Sequence, residues 1–561
     1  MVKANNLKGK TRSPIRATFA AHDRTQLETV FDYPLIPSIR GVYWKQTYIV
    51  EAWMFFPNPM GITPSTYTKE RFYSDLRPLM RFREPRFSYR DLRGLTELKA
   101  PLSVLQSYIS GIKEGHANLT IQKALSEARL FGCTFASYFL KRIANRTKIF
   151  RRLNKRVSTE ITDHQIVKEE FEFAISETLE VLSKGFYLLR EIRSLRQKSE
   201  ELELDYLGPL NTELLLVDEY CTYRFRDGLA SLMRELLDFD ERLIPGTSLK
   251  KILTRCFALN RLERRYSQRC KFVWIDPDSP ESDIEIYMYR RGTLKRRMWS
   301  ILYLKIRNRP LFTLQRQFGA MVAAGIAALW WVVAMYFIST KGGAFLSTTA
   351  SSKETVDHFW QSSGFLIVTA SMIAYILKDR IKENGRNFLS GRVIKWIPDN
   401  SDRILYEPPN EPPIEVGNIH EYTRFVTPDN LPLDVKELRQ RSFRDELEAD
   451  DSPTNIIHYR KVIELYPHSL SKIEYSVRAI HDILRINIAS YLTRLDDPQA
   501  GTDILAADGK LASMKMPKVY HMDIALKHSL AGASKKSNQV FIDHFRLVIN
   551  KKGILRVEKL P

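Results

Sequence analysis

The chain has 561 residues, of which 44% are apolar and 27% charged, proportions that exclude wholesale disorder and a polytopic transporter. Lys and Arg number 86 against 65 Asp and Glu, a formal charge of +21, so the chain favours a negatively charged neighbour, either an anionic lipid surface or nucleic acid. Cys133, Cys221, Cys256 and Cys270 are too widely spaced for zinc knuckles and too few to staple a secreted scaffold, and are expected as reduced, buried thiols.

Residues 1–95 read as a β-rich domain. The run over 39–56, IRGVYWKQTYIVEAWMFF, is dense in aromatic and β-branched residues, and prolines border it on both sides, as strands joined by tight connections require. From 96 to 270 the spacing becomes helical: Val167, Phe171, Ala174, Thr178, Leu182, Leu189 and Ile192 recur at three- and four-residue intervals within a charged stretch, which predicts a helical bundle burying one face of each helix. The uncharged stretch 130–140 is too short to span a membrane and belongs to that core. The run 141–156 carries eight Lys and Arg and no acid, a solvated helix end or a contact for lipid headgroups, an acidic partner or nucleic acid.

Residues 271–316 form a basic juxtamembrane segment. Arg290, Arg291, Lys295, Arg296, Arg297, Lys305, Arg307, Arg309 and Arg316 alternate with Leu294, Met298, Trp299, Ile301 and Leu302, the pattern of an amphipathic helix lying at a membrane surface with its cations on phosphates and ending before Pro310.

Two uncharged runs follow. Residues 317–340, QFGAMVAAGIAALWWVVAMYFIST, and 359–377, FWQSSGFLIVTASMIAYIL, are each long enough to cross a hydrocarbon core of about 30 Å at about 1.5 Å per residue. The expectation is a two-helix transmembrane hairpin with a short external loop at 341–358. Between residues 290 and 316 lie nine Lys and Arg without an acid, and between 378 and 395 six against two acids, so the positive-inside rule puts both termini in the cytoplasm of a multi-pass inner-membrane protein. Gly319, Ala323 and Ala327 sit at four-residue spacing, where another helix backbone, from the second segment or from a second protomer, can approach closely.

Residues 378–455 read as a basic flank and Pro-rich linker, YEPPNEPPIEV at their middle, and 456–561 as an α+β module. In it Ile473, Val477, Ile480, Leu484, Ile488 and Tyr491 predict a helix over 471–495. KVYHMDIAL, VFIDHFRLVIN and ILRVEKL predict strands, the last two joined across Lys551, Lys552 and Gly553. The expected class is therefore an α+β membrane protein, comprising an N-terminal β-rich domain, a helical bundle, the hairpin and the C-terminal module.

No phosphate loop, dinucleotide fingerprint, HExxH or GxSxG occurs, and no cofactor is implied. His481 and Asp482 are adjacent, with His458 upstream and Asp496 and Asp497 downstream; this order resembles the His, His-Asp, Asp series of HD-type phosphohydrolases, which implies a divalent metal on His458, His481, Asp482 and Asp497. Satisfied structural histidines are the competing reading. The leading functional expectation is a membrane-anchored cytoplasmic binding or scaffold protein, not an enzyme, that meets anionic lipid and a protein partner or a second copy of itself. A membrane-associated metal hydrolase and a membrane-perturbing effector that oligomerises through its hairpin are the alternatives. Nucleic acid is disfavoured, because the densest cations flank the bilayer crossings.

Overall fold

Alternation of inward and outward residues builds the first strands. In β2 (Gln26–Pro34) Leu27, Thr29, Phe31 and Tyr33 are buried and their neighbours half-exposed, the period of two that a strand imposes. The computed structural model describes residues 15–35, 45–96, 100–114, 120–158, 164–238, 246–309, 321–338, 363–392, 398–408, 411–441, 456–473, 477–505, 507, 509–531 and 540–560. With β1 (Arg16–Ala21) and β2 the strands are β3 (Gln46–Phe55), β4 (Leu76–Phe82), β5 (Tyr303–Arg309), β6 (Asn400–Tyr406), β7 (Ile414–Val426), β8 (Ile456–Leu465) and β9 (Ala479–Asn487). A short pair, β10 (Gln499–Leu505) and β11 (Leu511–Pro517), precedes β12 (Tyr520–Ala531), β13 (Val540–Asn550) and β14 (Gly553–Leu560).

All but β10 and β11 join one twelve-stranded sheet, in the order β1, β2, β9, β4, β5, β6, β7, β8, β3, β12, β13, β14. Neighbours run antiparallel, and the sheet curls almost into a barrel. At the seam the Ile554 amide donates to the Arg24 carbonyl at 2.7 Å, and the rings of Phe19 and Phe545 stack at 4.2 Å. Gly553 permits this approach: its φ is +140°, and a Cβ there would stand 2.4 Å from the Arg24 carbonyl oxygen. Strands from both ends of the chain thus share one core, rather than forming an N-terminal β domain and a separate C-terminal module.

Two differences from the sequence reading concern the later strands. Residues 479–487 form a strand instead of part of a helix over 471–495. Ile480, Leu484 and Ile488 are four apart, and four is an even number, so the same residues share a face in a strand. The stretch 398–455 holds two long strands, β6 and β7, and the helix α11 (Leu433–Gln440), not a linker alone. Its prolines mark the connection between the two strands.

The barrel interior is apolar with a few polar groups paired across it. Lys461 on β8 reaches Asp482 on β9 at 2.6 Å, and the Tyr459 hydroxyl donates to Glu421 at 2.6 Å. Helix α1 (Lys69–Asp75) closes one end: Tyr73 donates to Asp399 at 3.2 Å, Lys69 pairs with the same carboxylate at 2.7 Å, and Phe72 packs on Tyr459. That end is also where β5 finishes and β6 begins. Registers carry it round the barrel, since Leu76 lies opposite Ile486, Asn400 opposite Glu421, and Phe55 opposite both Ile456 and Asp523.

Between the neighbouring strands β4 and β5 the chain inserts the helical bundle: α2 (Tyr89–Leu92), α3 (Pro101–Lys113), α4 (Ile121–Ser158), α5 (His164–Glu200), α6 (Gly208–Leu237), α7 (Gly246–Arg269) and α8 (Glu281–Trp299). The stripe on α5 is buried from Phe171 through Ile192, as are Leu130, Phe131, Phe135 and Phe139 on α4, Phe139 lying at Gly185 of α5 and stacking on Phe225 of α6. Between β5 and β6 it inserts two further helices, α9 (Met321–Ile338) and α10 (Ser363–Arg392). Cys133, Cys221 and Cys256 are buried, Cys270 is half-buried, and all four are free thiols.

Closure at Gly553 has a measurable cost of disruption. Gly553→Ala should destabilise the solubilised chain by on the order of 3 kcal/mol, through backbone strain and collision with Arg24. Gly501→Ala on β10, where an added Cβ meets nothing within 4 Å, should change stability by less than about 0.5 kcal/mol. Equal melting temperatures for the two variants would contradict a closed seam.

Candidate membrane-facing end

An α-helix with apolar residues on every side must meet lipid or protein on every side. Helix α9 is such a helix: Leu329 is 67% exposed, Val332 64% and Tyr336 67%. It is the one helix among the described residues long and apolar enough to cross a membrane. Helix α10 is described from Ser363, and its uncharged part ends at Leu377, about 15 residues, shorter than the roughly 20 that a span needs. The remainder of the second apolar run, residues 359–362, lies outside the described residues, as do 341–358.

The two helices pack side by side. The Trp331 ring meets Tyr375 edge-on at 5.9 Å, and a crevice between them is lined by Val333, Ala334 and Phe337 from α9 and by Ala370, Ile373 and Ala374 from α10. The Lys378 ammonium lies 5.4 Å from the centre of the Trp331 ring and 5.3 Å from that of Tyr375, a cation–π arrangement on two rings. Ala323 and Ala327, expected as a helix-packing face, are buried within this chain; Gly319, their expected partner, lies outside the described residues. The Trp331, Tyr375 and Lys378 group went unremarked in the sequence, although aromatic residues beside a lysine at the end of an apolar run are a known interfacial signal.

The basic segment before α9 takes a different form from an amphipathic surface helix. Helix α8 stops at Trp299, and after one turn the chain becomes strand β5. Leu294, Met298, Leu302 and Leu304 are buried in the protein, so the apolar stripe read as lipid-facing is a packing face. Several of its cations are committed to carboxylates of α6. Arg297 and Arg129 both bind Glu213, at 2.6 and 3.0 Å; Arg290 binds Glu219 at 2.6 Å and Arg291 binds Asp227 at 2.8 Å. Lys305 and Arg307 flank Glu407, and Arg296 bonds only Thr293 of its own helix among its described contacts. Lys295 has its pKa lowered, first by burial and then by Arg224, Arg81 and Arg291. The side chain of Arg309 and the whole of Arg316 lie outside the described residues. Within the earlier basic run, Arg146, Arg151 and Arg156 pair with Glu177, Glu235 and Glu170 of neighbouring helices.

The proposed metal ligands are spread over the barrel. As neighbours on strand β9, His481 and Asp482 point to opposite faces: Asp482 faces the interior and Lys461, whereas His481 Nδ1 lies 2.6 Å from Asp32. His458 accepts from Arg424 Nε at 3.1 Å and stacks on Trp53 at 4.7 Å. Asp497 lies past the end of β9, exposed and paired with Lys551 at 3.1 Å. Among the described residues no three His, Cys, Asp or Glu side chains gather as a metal would require.

No family model matches the chain, and no curated protein or solved structure is significantly similar to it.

The Glu213 pair distinguishes a packing role from a lipid role for the basic segment. Burial raises the Glu213 pKa, but hydrogen bonds from Arg297 and Arg129 outweigh it and leave the carboxyl below its ordinary value. Its folded pKa is therefore depressed, and the stability it contributes is present above the unfolded carboxylate value of about 4.3 and lost as pH falls through the folded one. Arg297→Gln should destabilise the chain by about 1 kcal/mol at neutral pH, since Arg129 still pairs with Glu213, and by clearly less at pH 3, with binding to anionic vesicles unchanged. Weaker vesicle binding with an unchanged melting temperature would restore the lipid role.

Proposed function

We propose that this chain is a membrane-anchored binding or scaffold protein: α9 and α10 enter the bilayer as a pair, and the barrel and bundle form one head on its cytoplasmic side. The observation that carries the reading is the exposed apolar circumference of the pair. On α10 it continues through Val368 at 58%, Met372 at 64% and Ile376 at 52%, a ribbon that would aggregate in water and is stable in lipid.

The level of the bilayer surface follows from comparing two costs. Lys378, level with Trp331, opens a stretch of α10 that also holds Asp379, Arg380, Lys382 and Glu383. If α9 entered lipid at Met321, that stretch would lie beside its first half, and five charges within the core would cost on the order of 10 kcal/mol. Leaving the first half of α9 outside exposes Met321, Ile326 and Leu329, at about 2 kcal/mol each, and Ile326 and Leu329 would still fall within the headgroup layer, about 7 Å deep. The second arrangement wins. Trp331, Tyr375 and Lys378 then mark the headgroup level, and the uncharged part of α10, residues 363–377, supplies about 22 Å of helix within lipid.

Cytoplasmic placement of the head rests on the cations nearest this level. Lys378, Arg380, Lys382, Arg386 and Arg392 lie on α10 itself, against Asp379 and Glu383, a bias that holds a segment on the inner side. Arg290, Arg291 and Arg297 of α8 add nothing to it, since they are paired with acids of the bundle. Neither metal hydrolysis nor self-association through Ala323 and Ala327 gains support: the ligands face different ways, and the small-residue face is covered within the chain.

Single cysteines in a Cys270→Ser background test both the insertion and its level. In sealed inner-membrane vesicles with the cytoplasmic face outward, Met321→Cys and Lys382→Cys should react with a membrane-impermeant maleimide and Val332→Cys should be protected. Protection of Met321→Cys would move the surface to the start of α9. Equal reactivity at Met321 and Val332 would reject insertion.

A further inference from the structure

The hairpin of β10 and β11 belongs to no other element. It forms a two-stranded sheet of its own, paired from Gln499 with Pro517 to Leu505 with Leu511, and an isolated two-stranded ribbon is marginally stable in water. Its side chains are exposed almost throughout, Leu505 at 71% and Leu511 at 73%.

The register sorts those side chains. One face carries Ile504 opposite Ala512, Thr502 opposite Met514 and Ala500 opposite Met516, without a charge. The other carries Asp503 and Lys515 and, at the tip, Leu505 opposite Leu511, next to Lys510 and near Gly509, whose φ is +79°. The ribbon therefore ends in two exposed leucines beside a cation, a group suited to the boundary between headgroups and acyl chains.

Its position points to the same partner. β10 and β11 leave the barrel between the end of β9 and the start of β12, and the registers put both at the end from which α9 and α10 depart. Between Lys378 and Arg392 α10 contributes fifteen helical residues, a stand-off of about 22 Å between bilayer surface and barrel. Seven residues per strand give the ribbon a reach of about 23 Å.

We propose that the β10–β11 hairpin is a second membrane contact, which sets its leucine tip into the lipid surface beside the α9–α10 anchor and fixes the tilt of the head. This rests on the membrane reading of α9 and α10. The test uses the full chain, Cys270→Ser, reconstituted in phosphatidylcholine and phosphatidylglycerol vesicles, with an environment-sensitive fluorophore on Leu511→Cys, Gln499→Cys or Val332→Cys and doxyl-labelled phosphatidylcholine as quencher. The expected result is loss of most emission at Leu511 and Val332, with a water-like, weakly quenched signal at Gln499. Quenching at Val332 alone overturns the hairpin contact and leaves the anchor standing, and cross-linking between protomers through Leu511→Cys in place of quenching overturns it in favour of a second copy. Absence of quenching at Val332 rejects the anchor and the hairpin contact together.

Discussion

Closure of the twelve-stranded sheet is the constraint on which everything else in the molecule hangs. An open antiparallel sheet presents two rows of unpaired backbone groups, and here the rows are brought together by the Arg24 to Ile554 hydrogen bond and the Phe19 to Phe545 stack. Once the sheet is nearly closed, extra chain fits only at the ends of the strands. The bundle, the apolar helices and the β10–β11 ribbon are all such insertions, made between strands that remain neighbours or return to the same sheet. Insertions at strand ends leave the ladder intact, so each could be large without opening the barrel.

Charge inside the protein is distributed by the same economy. Lys461 and Asp482 face each other across the interior, Glu213 holds two arginines, and Arg193 is gripped by Asp218 and Glu263 while its guanidinium lies 3.6 Å from the centre of the Tyr266 ring. Removing Lys461, or the shared Glu213 or Arg193, leaves buried charges unpaired, which costs more than the pairs ever contribute. These networks join α4, α5, α6, α7 and α8 to one another. They also explain why a dense run of cations need not be a lipid-binding one: Arg290, Arg291 and Arg297 are engaged by acids of the bundle.

How much of this was legible in the sequence depends on how local the cause is. The stripe from Phe171 to Ile192 and the apolar segment 321–338 are helices because of their spacing and length, and both are visible in a window of a few turns. The tail strands and the turn at Gly553 were equally local. What misled was ambiguity of period: Ile480, Leu484 and Ile488 satisfy a helix and a strand alike, and the conflict is resolved by pairing with β2 and β4, hundreds of residues away. The metal candidates fell with that helix, since adjacent residues diverge on a strand. The basic segment misled for another reason, because the acids that neutralise it lie on α6, about 80 residues earlier. The sequence at 499–517 holds the dipeptide Asp508-Gly509 between two runs of seven residues, a hairpin signal absent from the sequence reading.

The interleaving of the strands also sets a timetable. β1 and β2 emerge first from the ribosome, yet β2 pairs with β9 and the seam at β1 waits for β14, so nearly the entire chain must be made before its opening strands find their partners. Contacts of such long range form slowly, and synthesis at about 5 to 20 residues per second leaves the N-terminal arm open for tens of seconds. The apolar helices, lying between β5 and β6, are exposed to the insertion machinery while β8, β9 and β12 to β14 do not yet exist. On the membrane reading proposed above, entry into lipid precedes assembly of the head, and the barrel is completed on a chain that is already anchored.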